Sequence, residues 1–236
     1  MLRASITSRF QKTVIRGSIY TMFQAAWYYF ILNLARLAFF LGIGGIRSVG
    51  KENVPITGPL IVAPIHVSHL DPPAVACGTN RRLRFMAKEE LFRGPLGKLI
   101  TSLGAFPVKR GEGDTESIRL AMSLLEKGEA VLIFPEGTRG DGTSLQPLNK
   151  GVALLAKRTE ALVMPVAVVG THVAWPRGQK QIRRQRLTIA YGIPRTYREL
   201  ATDENGKESR DLFTTRLAEE LIALSRANGL SLAVSA

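Results

Sequence analysis

From residue 50 onward the chain alternates short apolar runs with amphipathic stretches and polar turns. Leu60–Ala63 is uniformly apolar and comes after a Gly58-Pro59 turn, which predicts a strand. Leu83–Ala87, Ala105–Val108, Ala130–Phe134, Leu162–Val169 and Leu187–Tyr191 predict further strands. Between residues 114 and 127, Ile118, Ala121, Met122 and Leu125 fall on one helical face; Asp114 is placed to cap that helix and Gly128 to end it. Helices are also predicted over Asn149–Thr159 and Ser209–Ala227, with the polar stretch Thr202–Ser209 as a loop. Strands alternating with helices imply an α/β fold: a mixed, largely parallel sheet flanked by helices. No internal repeat interrupts this pattern.

The N-terminal pattern is different. Residues 1–18 carry Arg3, Arg9, Lys12 and Arg16 and no acid, and residues 19–45 are apolar and rich in Trp, Tyr and Phe. That stretch is too long for the apolar centre of a signal peptide. Its length allows a transmembrane helix. However, Gln24, Asn33 and Arg36 lie within it, and a central arginine is costly in hydrocarbon. The aromatic content suits a membrane interface. Arg47 and Lys51 come next, so cations flank the stretch on both sides, and the positive-inside bias draws both flanks to the cytoplasmic face. Residues 1–48 are therefore expected to form a membrane-associating helix pair, interfacial or re-entrant, at the cytoplasmic face of the cell membrane. A single span and the buried helix of a soluble protein are the alternatives. Residues 49–236 are expected to form the α/β domain.

Composition narrows the chemistry. A chain of 236 residues that is 45% hydrophobic can bury a sizeable core. The single cysteine, Cys77, forbids an intramolecular disulfide and a clustered-cysteine zinc site, and no metal is expected. The net charge is +13, from 32 Lys+Arg against 19 Asp+Glu, which favours an anionic partner: nucleic acid, an anionic membrane or a phosphorylated substrate.

Four blocks come after predicted strands or lie in them. The first is His66-Val-Ser-His69-Leu-Asp71. Residues five apart do not share a helix face, so His66 and Asp71 meet only across a turn. Asp71 before Pro72 is a helix-start signal that supplies one. A histidine oriented by a carboxylate is a general base for a hydroxyl. Helix capping by Asp71 alone is the competing reading. The second block is Gly104-Ala-Phe-Pro-Val-Lys109-Arg110-Gly111, whose paired cations suit a phosphate but also suit a solvated surface. The third is Phe134-Pro-Glu136-Gly137-Thr138-Arg139. There the Gly137 N–H is a candidate oxyanion donor and Arg139 a candidate phosphate fork; an ordinary turn with a Glu–Arg surface pair is the alternative. The fourth is Val163-Met-Pro165-Val166, where proline implies an edge strand or a special site.

Taken together the blocks resemble the PlsC-like glycerolipid acyltransferase family, whose best-known members are 1-acylglycerol-3-phosphate acyltransferases. The resemblance covers residues 50 to 195, and the apolar N-terminus resembles the family's membrane-associating helices. It implies that His66 is the catalytic base and Asp71 its orienting acid. It implies that Lys109, Arg110, Glu136, Gly137, Thr138 and Arg139 bind substrate, with a structural or acyl-chain role for Pro165. Many members have Asn where this chain has Ile65, and Phe-Lys-Lys-Gly where it has Leu148-Asn-Lys-Gly151. The implied reaction moves a fatty acyl group from acyl-CoA or acyl-carrier protein, as co-substrate, to the sn-2 hydroxyl of lysophosphatidate, giving phosphatidate. It needs no cofactor. Another lysophospholipid, glycerol-3-phosphate, or an acylated sugar or amino-lipid is the alternative acceptor. The implied partners are the anionic phospholipid membrane and these two substrates, not nucleic acid. A lipid hydrolase would be expected to carry a Gly-x-Ser-x-Gly elbow, which is missing. A nucleic-acid binder would leave both the histidine and the glutamate blocks unexplained.

Overall fold

A computed structural model describes residues 22–108, 115–201 and 207–234. Its centre is the strand β2 (Leu60–Pro64), every residue of which is buried. A continuous apolar run of this kind belongs in a parallel sheet covered on both faces. Around it lie β1 (Ile46–Val49), β3 (Leu83–Lys88), β4 (Ala105–Val108), β5 (Ala130–Leu132), β7 (Leu162–Val169) and β8 (Leu187–Tyr191). The order across the sheet is β1-β8-β7-β2-β5-β3-β4. All neighbours are parallel except β7 and β8. The sheet is thus mixed and largely parallel, as expected. The short β6 (Ser144–Leu145) and β9 (Ala233–Val234) pair separately.

Helices cover both faces. On one side lie α1 (Met22–Ile43) and α2 (Asp71–Gly78). On the other are α4 (Thr115–Glu126), α5 (Gly151–Thr159) and α8 (Lys207–Ala227). The pleat shows the division: the Tyr191 hydroxyl donates to Val75 O on α2, whereas a Cβ at the next residue, Gly192, would meet Leu224 on α8. The helix α3 (Gly94–Ser102) leads into β4, and the short α6 (Thr171–Ala174) and α7 (Tyr197–Leu200) flank β8.

Several boundaries differ from the sequence expectation. β5 ends at Leu132 because the chain turns for the glutamate block; only Ile133 N–H extends its pairing, to Val62 O. Asn149 lies outside α5 and its side chain accepts from Gly151 N–H, as a cap does. Lys207–Ser209 belong to α8 rather than to a loop, while residues 202–206 and the proposed cap Asp114 lie outside the described residues. Pro165 is not on an edge: β7 sits between β8 and β2. It is tolerated because the β7–β8 ladder is interrupted there. Gly192 N–H donates to Pro165 O, and Val163 pairs next with Arg195, so the partner strand carries an extra residue.

The N-terminal stretch forms one helix from Met22 to Ile43 rather than two within residues 19–45; residues 1–21 lie outside the described residues. It is long and apolar enough to cross a membrane. It is also docked. Tyr28, Leu32, Phe39 and Ile43 are buried against the domain, and the Trp27 indole donates to Ser102 Oγ on α3. Arg36 donates to Cys77 O and Thr79 O at 2.9 and 2.8 Å, capping the carboxyl end of α2. The arginine that argued against a plain span is therefore a docking residue. Gly44, at φ 112°, ends the helix, and β1 begins at Ile46, so the sheet crosses the expected boundary between residues 48 and 49.

Candidate active site

The parallel strands β2, β5, β3 and β4 are neighbours, so the loops leaving their carboxyl ends gather at one edge of the sheet, where open α/β sheets bind ligands. His66 lies two residues beyond β2. The chain then turns and enters α2 at Asp71, with Pro72 in the first turn. The turn brings His66 Nδ1 to 2.9 Å from Asp71 Oδ2. The same oxygen accepts the N–H groups of Val67 and Ser68, each at 2.7 Å. Three donors thus converge on one oxygen of a fully buried carboxylate, which fixes the acid and through it the imidazole. Asp71 opens α2, but its side chain accepts from residues before the helix and makes no cap bond, so the block holds the histidine rather than only capping the helix.

The glutamate block packs beneath the histidine. The His66 ring stacks on Phe134 with centroids 3.8 Å apart. Gly140 N–H donates to His66 O. Glu136 is 7% exposed and accepts from His66 N–H at 2.6 Å and from Gln146 N–H at 3.0 Å. Burial raises its pKa to about 7, against the lowering effect of the Gln146 and His66 N–H groups. Glu136, a substrate-binding candidate from the sequence, therefore spends both oxygens on the backbone and ties the third block to the first. The Gly137 N–H, the candidate oxyanion donor, is committed to a turn bond with Phe134 O at 3.1 Å. The residue's left-handed conformation, φ 65°, explains the glycine.

A cavity of about 860 Å³ opens beside the dyad. His66, Gly137 and Arg139 line it, together with Lys88 and Arg119 and an apolar set that includes Met86, Val108, Ile118 and Leu155. Thr138 is exposed and does not line it; Lys109 and Arg110 lie outside the described residues. Lys88 and Arg119 were missed by the sequence reading. Lys88 closes β3, and that placement at a strand's carboxyl end, the same as for the other blocks, was a usable signal. Arg119 lies on α4, where nothing in the helical pattern marked it.

The other candidate groups are occupied. The Ser68 hydroxyl is fully buried and donates to Trp175 O. The Cys77 thiol is buried on α2 against Leu32 O, and burial pushes its pKa up to about 11. Neither is placed as a nucleophile. His69 lines the cavity next to Trp175; partial burial, then the charge of Arg139, lowers its pKa and keeps it neutral.

Comparison with known proteins gives a family. The family model described as Acyltransferase matches residues 45–169. The 1-acyl-sn-glycerol-3-phosphate acyltransferase of Bacillus subtilis is 30% identical over 153 residues, which cover 64% of this chain and 74% of that one. The lyso-ornithine lipid O-acyltransferase of Pseudomonas aeruginosa is 36% identical over 113 residues, 47% of this chain and 43% of that one. The crystal structure of PlsC, the 1-acyl-sn-glycerophosphate acyltransferase of Thermotoga maritima, superposes with a TM-score of 0.68. It is 24% identical in sequence, and the match covers 85% of this chain and 77% of that one. The matched region spans β1 to β7 and holds the His66–Asp71 pair, the glutamate block and the cavity, so this chain belongs to the PlsC-like acyltransferase family.

Proposed function

We propose that the protein acylates lysophosphatidate at its sn-2 hydroxyl, using acyl-CoA or acyl-carrier protein, and so makes phosphatidate for phospholipid biosynthesis. The observation that carries this reading is the His66–Asp71 pair at the wall of a cavity that is apolar within and cationic at Lys88, Arg119 and Arg139. An acyl chain needs the apolar part. A phosphate monoester entering a partly desolvated site needs the cations.

With Nδ1 held by Asp71, Nε2 of His66 is the ring atom left to face the acceptor. It takes the hydroxyl proton as the oxygen attacks the thioester carbonyl carbon. Asp71 stabilises the imidazolium that forms. The tetrahedral intermediate collapses, the carbon–sulfur bond breaks, and the thiolate takes the proton back from Nε2. Because the Gly137 amide is already bonded, a donor for the oxyanion is sought in the amide of Arg139, which lines the cavity and donates to no described acceptor. An oxyanion donor is worth about 2.7–4 kcal/mol. Lys109 and Arg110 remain proposed acceptor contacts on the grounds of the second sequence block. The membrane is the proposed source of the acceptor: the exposed stripe Phe23, Phe30, Leu34, Leu37 and Leu41 lies opposite the docked face of α1. We place the helix in one leaflet at the cytoplasmic face, since its other side is occupied by the domain.

The test is the purified protein in neutral detergent with labelled acyl-CoA or acyl-carrier protein. Lysophosphatidate, glycerol-3-phosphate and a lyso-ornithine lipid are offered as acceptors, and products are separated by thin-layer chromatography. Labelled phosphatidate as the main product supports the proposal. Preference for either other acceptor overturns it.

A further inference from the structure

The segment between α6 and β8 is not used by the mechanism, and its composition is extreme. Residues 177–186 read Arg-Gly-Gln-Lys-Gln-Ile-Arg-Arg-Gln-Arg: five cations and no acid. No acid occurs anywhere from residue 161 to 198. Arg177, Lys180, Arg183, Arg184 and Arg186 are all exposed, and none forms an ion pair with a described residue. Where a carboxylate is within reach the cations of this protein use it, as the half-buried Arg195 does with Glu220 and Lys150 with Asp211. Five like charges within ten residues repel one another, and an anionic surface brought against the loop would relieve that repulsion.

Its two ends say which surface. At one end Gln185 N–H donates to Ile43 O, the last residue of α1, and the Arg184 side chain packs beside Gly44. Phe40 and Leu41, 66% and 64% exposed, lie one turn away. The basic loop thus continues the exposed apolar stripe of α1. Ile182, 49% exposed, adds an apolar side chain within the charge run. At the other end Arg177 donates to Arg139 O, in the wall of the active-site cavity. Apolar groups bordered by unpaired cations match the layering of a membrane surface, acyl boundary beside headgroup. A soluble acidic carrier protein would account for the charge and leave the apolar stripe uncovered.

We propose that loop 177–186 is a docking surface for anionic lipid headgroups, which makes membrane attachment charge-selective and holds the Arg139 side of the cavity at the bilayer surface. This rests on the reading that α1 lies in one leaflet. Each cation near an anionic surface adds about 1 kcal/mol of attraction at moderate salt.

The experiment uses the full chain and sedimentation with phosphatidylcholine vesicles containing, or lacking, phosphatidylglycerol. Lys180→Gln, Arg183→Gln and Arg184→Gln are combined; glutamine keeps the methylenes that pack at Gly44, and Arg177 is left in place. The triple variant is expected to lose on the order of 100-fold in partition to anionic vesicles, to bind neutral vesicles as the wild type does, and to melt at the wild-type temperature. High salt should remove the difference. A control carrying Lys180→Arg, Arg183→Lys and Arg184→Lys should bind like wild type, because charge rather than fork geometry is required. Equal partition of wild type and the glutamine variant to anionic vesicles overturns the proposal while leaving α1 as the anchor. A raised KM for acyl-CoA or acyl-carrier protein in neutral micelles, with vesicle binding unchanged, overturns it in favour of a donor site. Wild type that binds no vesicle at all overturns both this proposal and the membrane reading, whereas transfer in neutral detergent tests the acyltransferase reading separately.

Discussion

Asp71→Asn separates the two things that Asp71 does. Oδ2 accepts three N–H groups, from His66, Val67 and Ser68, whereas Oδ1 has no partner among the described residues. An asparagine at this position must turn its carbonyl toward the two backbone amides, because its NH₂ cannot accept from them. That orientation leaves an acceptor for His66 Nδ1–H, so the tautomer survives and only the charge is lost. A hydrogen bond to a charged group contributes about 1.5–3 kcal/mol against about 0.5–1.5 for a neutral one. The difference, about 1–2 kcal/mol in the transition state, is a fall of roughly 5- to 30-fold in kcat. Asp71→Ala is worse in two ways. It leaves the buried Val67 and Ser68 N–H groups unpaired, at about 1–3 kcal/mol each. It also frees the imidazole, so that much of the 10²–10⁴-fold general-base contribution goes. Steady-state transfer assays in detergent, with melting curves for all three proteins, decide the matter. A loss for Asp71→Asn as large as for Asp71→Ala, in a variant that melts like wild type, would refute the hydrogen-bond reasoning.

Four further outcomes are expected. Arg139→Ala raises the KM for lysophosphatidate by about 10- to 100-fold, as loss of a charged hydrogen bond does, and Arg139→Lys stays impaired because it lacks the fork; a normal acceptor KM in both refutes this. Glu136 is charged less readily in the fold than in the unfolded chain, so its contribution to stability is fully present below about pH 4.5 and is lost as pH rises toward about 7, with an upper limit of about 3 kcal/mol. Relative to Glu136→Gln, the wild type should therefore lose melting temperature between pH 5 and pH 8, and a gain would contradict the sign. Cys77→Ala retains transfer activity and the wild-type thiol reacts slowly with maleimide, since the sulfur is buried; an inactive but folded variant would reopen a covalent route. Arg36→Ala unpairs the end of α2 and loosens α1, seen as faster proteolysis within residues 22–43 and about 2–4 kcal/mol of lost stability; unchanged protection would contradict the docking role.

The parts that were legible in the sequence are those where one local signal decides. Leu162–Val169 and Leu187–Tyr191 are strands to the residue because their runs are apolar and β-branched and end at turns. The approach of His66 to Asp71 was legible because Asp-Pro starts a helix and so demands the turn. What escaped depended on partners distant in the chain. β1 is a strand because β8 lies beside it, and its own pattern is half exposed. Arg36 reads as a misplaced charge until the end of α2, some forty residues on, supplies its carbonyls. Glu136 in a motif beside Arg139, a candidate phosphate fork, suggested substrate; only the fold shows that His66 and Gln146 amides claim it. The Gly137 amide was a fair oxyanion candidate by residue type, but the turn that requires the glycine also occupies its N–H.

The central claim is that His66 removes the proton from a lysophosphatidate hydroxyl while acyl-CoA or acyl-carrier protein is bound. It is tested most directly by measuring labelled phosphatidate formed by wild type and His66→Ala, each purified in neutral detergent and shown to share a melting profile. Wild type is expected to convert lysophosphatidate to phosphatidate, and His66→Ala to do so at less than about a hundredth of that rate. Retention of more than about a tenth of the rate by a natively folded His66→Ala protein would contradict the account.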